Sequence, residues 1–335
     1  MENRIVLNHG GGGLLTRKLI QGLFADRFGL TDPLTDSAVI AHEGEHYAFT
    51  TDSYVVDPIF FPGGDIGKLS VCGTVNDLAV AGAVPGFLSA SFIIEEGLPL
   101  RDLEQIVESM ALASAEAGTK IITGDTKVVE RGKCDKIYIN TSGTGILKKD
   151  HLHIGIAAGV EPGDKLIING PLGNHAVSVM GARKQLNFSA PVISDCAPLN
   201  RMIQEVLAKT YGVKFMRDLT RGGLAGVLNE LADICGRSII VNESMIPVDE
   251  PVRAVCEMYG FDPMYLANEG KVLFVCSPAE SEKIVRILSG NCYGKQSAII
   301  GEIAEKQRSM VIMNTSTGGS RIIDMPSGGI LPRIC

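Results

Sequence analysis

The sequence predicts an α+β chain of two domains, each a mixed sheet with helices on one face. Three observations predict it. Strand-like alternation and helical spacing are interleaved along the whole chain instead of sorted into one class. The turn Glu161-Pro162-Gly163-Asp164 closes a weakly periodic stretch and divides the 335 residues into two parts of ordinary domain size. The core material is aliphatic, with 45% hydrophobic residues, 5% aromatics and no Trp. The expected units are 1–150, 151–325 and a mobile tail, 326–335.

In the first part, Leu15, Leu19, Leu23 and Phe24 give 14–28 a helical spacing, and 37–40 and 47–50 alternate like strands. Residues 67–81 read as a helix with small residues on one face, and 87–94 as a strand. Residues 103–117 form an amphipathic helix with Leu103, Ile106, Val107, Met110 and Ala111 on one side. Strands 120–129 and 136–146 flank a polar turn. In the second part, 165–168, 238–241, 272–275, 298–302 and 310–313 read as strands. Residues 199–210, 222–232, 252–259 and 280–288 read as helices. From Pro326 the texture changes: Gly328-Gly329 supplies a hinge, and the prolines favour extended backbone. Ten residues at about 3.3 Å each span roughly 33 Å. Ile330, Leu331 and Ile334 are apolar enough to dock, which a solvated tail does not require.

Composition excludes several classes. The net charge of -7 disfavours a nucleic-acid or anionic-membrane binder. No apolar run reaches membrane-spanning length, and the first residues lack the basic-then-apolar pattern of a signal peptide. The eight cysteines are scattered without a C-x-x-C pair, so reduced thiols in the cytoplasm are expected. Cys335, the last residue, is expected to be exposed.

Two motifs fail on inspection. His42-Glu43-Gly44-Glu45-His46 matches a zinc-protease string, but that chemistry needs a helical turn. Here a central Gly between strand-like flanks predicts a hairpin. Residues 63–70 resemble a P-loop, but Pro62 replaces the first Gly and Leu69 the metal-binding hydroxyl. They read as a loop entering a helix. His151 and His153 read as a surface strand feature.

Other motifs survive. Gly10, Gly11, Gly12 and Gly13 precede a helix, and successive glycine amides can curl around phosphate oxygens; a floppy arm is the alternative. Asp52 follows a strand, Asn76 and Asp77 sit in a helix against their propensity, and Asp125 interrupts a β-branched run. Either these three acids share a cation such as Mg2+ bound with a nucleotide triphosphate, or they are separate turn and cap residues. Spacing does not separate the two. Residues 217–224, Arg-Asp-Leu-Thr-Arg-Gly-Gly-Leu, open a helix, which suits a cap or an anion site. Glu269 lies in a short turn, as a base or a polar turn residue.

Taken in order, Thr51-Asp52-Ser53, Asn76-Asp77, Gly124-Asp125-Thr126-Lys127-Val128, 217–224 and Ala267-Asn268-Glu269-Gly270 resemble the ATP-binding superfamily of aminoimidazole ribonucleotide synthetase and selenophosphate synthetase. The closing Pro332-Arg333-Ile334-Cys335 after a Gly-Gly hinge resembles the HypE family of nickel–iron hydrogenase maturation proteins, the carbamoyl dehydratases. The likeness runs from His9 to Cys335. Selenophosphate synthetases carry a reactive Cys or selenocysteine near the glycine run, whereas Leu14 and Leu15 stand here.

The resemblance implies a homodimer whose N-terminal domains close a β-barrel, with the nucleotide in a cleft near that interface. It implies ATP and Mg2+, the metal held by Asp52, Asp77 and Asp125. The nucleotide would be bound by Gly10 to Gly13, Asn76, Asp77, Asp125 and Thr126. Cys335 would carry a carbamoyl group loaded by a HypF-family carbamoyltransferase. The group would be dehydrated to a thiocyanate and passed as cyanide to a HypC–HypD scaffold. Lys127 would orient the amide, Glu269 would accept a proton, and Asp218 and Arg221 would guide the tail or phosphate.

Overall fold

The computed structural model describes residues 4–30, 34–183, 192–305, 308–327 and 333–335. A helix α1 (Leu14–Leu19) continues through a wide π-turn, Ile20–Ala25, into α2 (Asp26–Phe28). Then follow β1 (Ala38–His42), β2 (Glu45–Tyr54), a small hairpin of β3 (Phe60–Phe61) and β4 (Gly64–Asp65), and α3 (Ile66–Val80). Next come β5 (Ala83–Glu95), α4 (Leu100–Ala117), β6 (Lys120–Val129) and β7 (Ile137–Leu147). The first sheet has the order β1-β2-β7-β5-β6. Only β5 and β6 are parallel, because α4 crosses over between them. The sheet is open, with β1 and β6 as its edges, so one chain holds no closed barrel.

The string 42–46 makes the β1–β2 hairpin expected of it, with Glu43 and Gly44 both at positive φ, the mirror-type turn that suits strand twist. Helix α3 starts on Asp65, which accepts N–H bonds from Gly67 and Lys68 at 2.7 and 3.0 Å. Every residue of α3 except Lys68 is buried. A helix apolar all round must be covered on two sides. Strands β2, β5 and β7 cover one side, and α4 together with elements of the second half covers the rest.

The second half contains β8 (Lys165–Ile168), α5 (Asn174–Ala182), α6 (Asn200–Lys209), β9 (Val213–Asp218), α7 (Gly223–Cys235), β10 (Ser238–Asn242) and α8 (Glu250–Tyr259). It ends with β11 (Val272–Cys276), α9 (Pro278–Ser289), β12 (Ala298–Ile303), β13 (Met310–Asn314) and β14 (Ser320–Ile323). Its sheet has the order β14-β13-β10-β12-β8-β11-β9. The expectation of helices on one face fails here. Leu224, Leu228 and Leu231 of α7 pack on Leu166, Phe215, Leu273 and Val275. Ile203 of α6 and Ile284 of α9 pack on Ile167, Val272 and Phe274 from the other side. The five consecutive apolar residues of β11 follow from that double cover. Sequence reading also missed α5, β9 and β14. Helix α5 is built of small residues buried on most sides, so it shows no amphipathic stripe. His151 and His153 lie in the link between the sheets, not on a strand, and bond the Gly82 and Val213 carbonyls at 3.1 and 2.9 Å.

Candidate functional site

A cavity of ≈520 Å³ opens between the glycine run, the first sheet and the strand β9. Gly12, Gly13, Asp52, Asp77, Asp218 and Arg221 all line it, so the structure joins six of the residues singled out from sequence. Asp52 comes from β2, Asp77 from the last turn of α3 and Asp218 from the end of β9. Asp218 therefore ends a strand and does not cap a helix: α7 starts after Gly222, with no side-chain cap.

Asp36 also lines the cavity and was not foreseen; Arg217, read within the 217–224 motif without a role of its own, lines it too. A signal existed for Asp36: Thr35-Asp36-Ser37 repeats the tripeptide at 51–53. One carboxylate oxygen from each of Asp36, Asp77 and Asp218 lies within 4.8 Å of the others. The Thr50 hydroxyl is 2.8 Å from both Asp77 Oδ2 and the Asp36 carbonyl. Arg217 Nη1 pairs with Asp36 at 2.8 Å and with Glu230 at 3.6 Å. Burial pushes Asp36 up to about 6 despite Arg217. Burial first, then the neighbouring acids, drives Asp77 and Asp218 well above the carboxylate range. Asp77 also sits at the negative end of α3. Such a cluster favours a hard cation with oxygen ligands, and Mg2+ fits this donor set.

The expected triad of Asp52, Asp77 and Asp125 is not assembled within one chain. Asp125 lies on the exposed edge strand β6, paired with Lys127 at 2.8 Å. β7 and β5 separate β6 from β2, about 14 Å at ordinary strand spacing. Thr126 lies on β6 too. Asn76 is not at the cavity either. Its side chain accepts from the Leu199 N–H at 2.7 Å and donates to the Ala197 carbonyl at 3.0 Å, tying α3 to the second half.

A second, smaller niche of ≈190 Å³ lies across the glycine run and is lined by Gly10, Gly11, Ser53, Val55, Arg221, Ile334 and Cys335. Cys335 is half-buried, not exposed as expected. The chain end runs antiparallel to the residues after β2. Val55 N–H donates to the Cys335 carbonyl at 3.1 Å and Asp57 N–H to the Arg333 carbonyl at 3.2 Å. Ile334 is buried among Tyr54, Val56 and Phe61. The hinge expected at Gly328 and Gly329, with Ile330 and Leu331, lies outside the described residues.

Arg221 faces both spaces. Its pKa is raised, first of all by Cys335. Burial pushes the Cys335 thiol up to about 12; Arg221 opposes this, and Glu269 and Asp52 add to it. Glu269 is buried in the loop before β11, and its Oε1 has no hydrogen-bond partner among the described residues. Burial, then Cys196, Asp218 and Asp195, hold its pKa far above the ordinary value. Asn268 fixes that loop by accepting from the Gly173 N–H at 2.7 Å and donating to the Leu219 carbonyl at 3.0 Å. The arrangement places the Cys335 thiol beside Arg221 and within the electrostatic reach of Glu269, with Arg221 also facing the acid cluster.

Residues 34–147 match the family model of the AIR synthase related protein N-terminal domain, and 161–314 that of its C-terminal domain. The chain is 45% identical over 337 residues to the carbamoyl dehydratase HypE of Cupriavidus necator, covering 100% of this chain and 95% of that protein. It superposes with a TM-score of 0.85 on a crystal structure of a HypE–HypF complex, at 47% identity, covering 92% of this chain and 99% of the other. It superposes at 0.83 on a HypE in complex with ATP, at 42% identity, covering 99% and 100%. With both halves matched and the whole length shared, the chain belongs to the HypE family of carbamoyl dehydratases.

Proposed function

We propose that this chain uses ATP to dehydrate a carbamoyl group on the Cys335 sulfur to a thiocyanate, as a source of cyanide for the iron of a nickel–iron hydrogenase. The observation that carries the reading is the seat of Cys335, beside Arg221 and near Glu269, in a niche that shares Arg221 with the acid cavity. The relative crystallised with ATP supports a nucleotide in that cavity.

The carbamoyl oxygen attacks the γ-phosphorus and ADP leaves, which turns a poor leaving group into phosphate. One N–H proton is lost as the oxygen is phosphorylated; Glu269 then accepts the remaining N–H proton as the C–O bond breaks, phosphate leaves and the nitrile forms. Arg221 guides the tail and, with Asp218, the phosphate end of the cavity. Asp36, Asp52, Asp77 and Asp218 are the residues that would hold magnesium; when bound, it spreads charge on the transferring phosphoryl group.

The homodimer is part of the same proposal. Tyr47, Phe49, Phe87 and Ile146 leave an apolar face of the first sheet exposed. Two such sheets meeting face to face would close a barrel, and Asp125, Thr126 and Lys127 of one copy would serve the cavity of the other. The tail 326–335 would leave its seat to be loaded by a HypF-family carbamoyltransferase, in keeping with the HypE–HypF complex of a relative, and to meet a HypC–HypD scaffold. Residues 1–150 and 151–325 are the two working domains.

Intact mass spectrometry tests the reading. Incubation with the carbamoyl donor system adds one carbamoyl group to the C-terminal peptide, and ATP then removes one water. Mass gain on Cys72, Cys134 or another internal cysteine overturns it.

A further inference from the structure

We propose that His175 is a positioning residue that latches the end of the chain in its seat, so that Cys335 stays at the niche. The proposal rests on the reading that Cys335 carries the reacting group. It adds what holds the seated position.

His175 is fully buried in the first turn of α5. Its Nε2 lies 2.8 Å from the Ile334 carbonyl oxygen. A carbonyl only accepts, so Nε2 carries the proton. Nδ1 lies 2.8 Å from the Ser194 hydroxyl, which in turn accepts from the Cys196 N–H at 3.1 Å. Both ring nitrogens are therefore used, and the neutral imidazole satisfies both partners. Burial, which lowers its pKa, favours that form. Phe61 packs edge-on against it at 5.3 Å between ring centres.

The bond at Ile334 completes a set. The Cys335 and Arg333 carbonyls are taken by Val55 and Asp57, and Arg183 Nη2 also reaches the Arg333 carbonyl at 2.5 Å. The register along 55–57 is set by the Ile334 side chain, buried among Tyr54, Val56 and Phe61, because a one-residue slip would turn it to the other face. The alternate carbonyl, that of Ile334, points away from the ladder, and His175 is its donor. Without that donor the Ile334 carbonyl would be buried without a partner, which frees the chain end to lift from the niche.

The base loop shares this support. Ser194, Asp195 and Cys196 are consecutive. Asp195 Oδ2 accepts from the Gly270 N–H at 3.1 Å, next to Glu269. The Ala176 N–H donates to the Ala267 carbonyl at 3.2 Å. The donor that seats the tail and the loop that carries the acid are thus one rigid unit, so the sulfur is located relative to Glu269.

Alkylation of the uncarbamoylated protein by iodoacetamide, read on the C-terminal peptide by mass spectrometry, tests the latch without the reaction. His175→Phe keeps the bulk and loses the donor; His175→Gln keeps an N–H donor. H175F should label Cys335 about tenfold faster than the unchanged protein, and H175Q should return to within about threefold. Cys276, fully buried in β11, should stay unlabelled throughout. Should H175F label Cys276, Ser194→Ala, which frees the imidazole from its second partner, is scored by the same peptide. Equal Cys335 rates in all the folded proteins overturn the proposal. Because no carbamoyl transfer enters this measurement, a failure of loading at Cys335 would strike the functional reading and leave the latch result intact.

Discussion

Leu14 donates its backbone N–H to the Pro326 carbonyl oxygen at 3.0 Å, and a Cβ on Gly13 would lie 2.2 Å from that same oxygen. The first turn of α1 is therefore bonded to the base of the tail. Gly12 is as constrained: its φ is +78°, and a Cβ there would meet Arg221 Cβ at 2.7 Å. The glycine run is required for close packing as well as for whatever phosphate it covers.

Gly13→Ala should separate α1 from Pro326 and open the wall between cavity and niche. ATP affinity should fall at least tenfold, or about 1.4 kcal/mol, with a lower melting temperature. Titration calorimetry and thermal melts measure both. Unchanged affinity would mean that the wall is not part of the nucleotide site.

The acid cluster makes stability depend on pH. Asp36, Asp77 and Asp218 have folded pKa values above the ordinary carboxylate value. The folded state then binds more protons than the unfolded one from about pH 4 upward, through about 6 for Asp36 and beyond for the other two. Stability is full below that window and falls as pH rises through it. In EDTA the protein should melt higher at pH 5 than at pH 8. Mg2+ should raise the melting temperature at pH 8 and much less at pH 5. Asp77→Asn should stabilise the metal-free protein and weaken the Mg2+ response. A flat profile in EDTA would refute the cluster.

Glu269→Gln should leave carbamoyl loading of Cys335 intact and slow the ATP-dependent loss of water by about 10²–10⁴-fold, the usual contribution of a positioned base. Quenched-flow sampling of the tail peptide separates the two steps. Dehydration at the unchanged rate removes Glu269 from the chemistry.

Asp195 and Lys271 form a buried pair at 3.0 Å, with side chains 6% and 8% exposed. Asp195→Ala leaves an ammonium without its carboxylate and should cost about 3–5 kcal/mol in urea unfolding. Adding Lys271→Met should recover most of it. Additive losses in the double variant would show that the charges are not coupled.

Asp125→Asn and Asp77→Asn should each abolish turnover alone. Mixed and reassembled, the two variants should regain part of it, because a heterodimer would own one site with both acids intact. No recovery on mixing, with dimers confirmed by light scattering, would place Asp125 outside the site.

Much of the fold was legible because alternation and helical spacing depend only on neighbours along the chain. The hairpin at Gly44, helix α3, the strands of the first sheet and five of the seven strands of the second follow from such spacing. Helix α5 was not, since a helix of small residues buried on most sides carries no stripe. The acids Asp52, Asp77 and Asp218 and the cation Arg221 were legible as residue types in a recurring order.

Their grouping was decided by the tertiary structure. A carboxylate cluster is a matter of distance, and β2, α3, β9 and the segment before β1 are brought together only by the packing of α3 between the two halves. That packing also moved Asp125 to an outer edge, turned Asn76 into a strut and found a use for Asp36. Sequence alone supplied a cysteine at the last position. That it lies half-buried beside Arg221, with His175 bonded to the residue before it, depends on contacts across the full length of the chain, which local spacing does not encode.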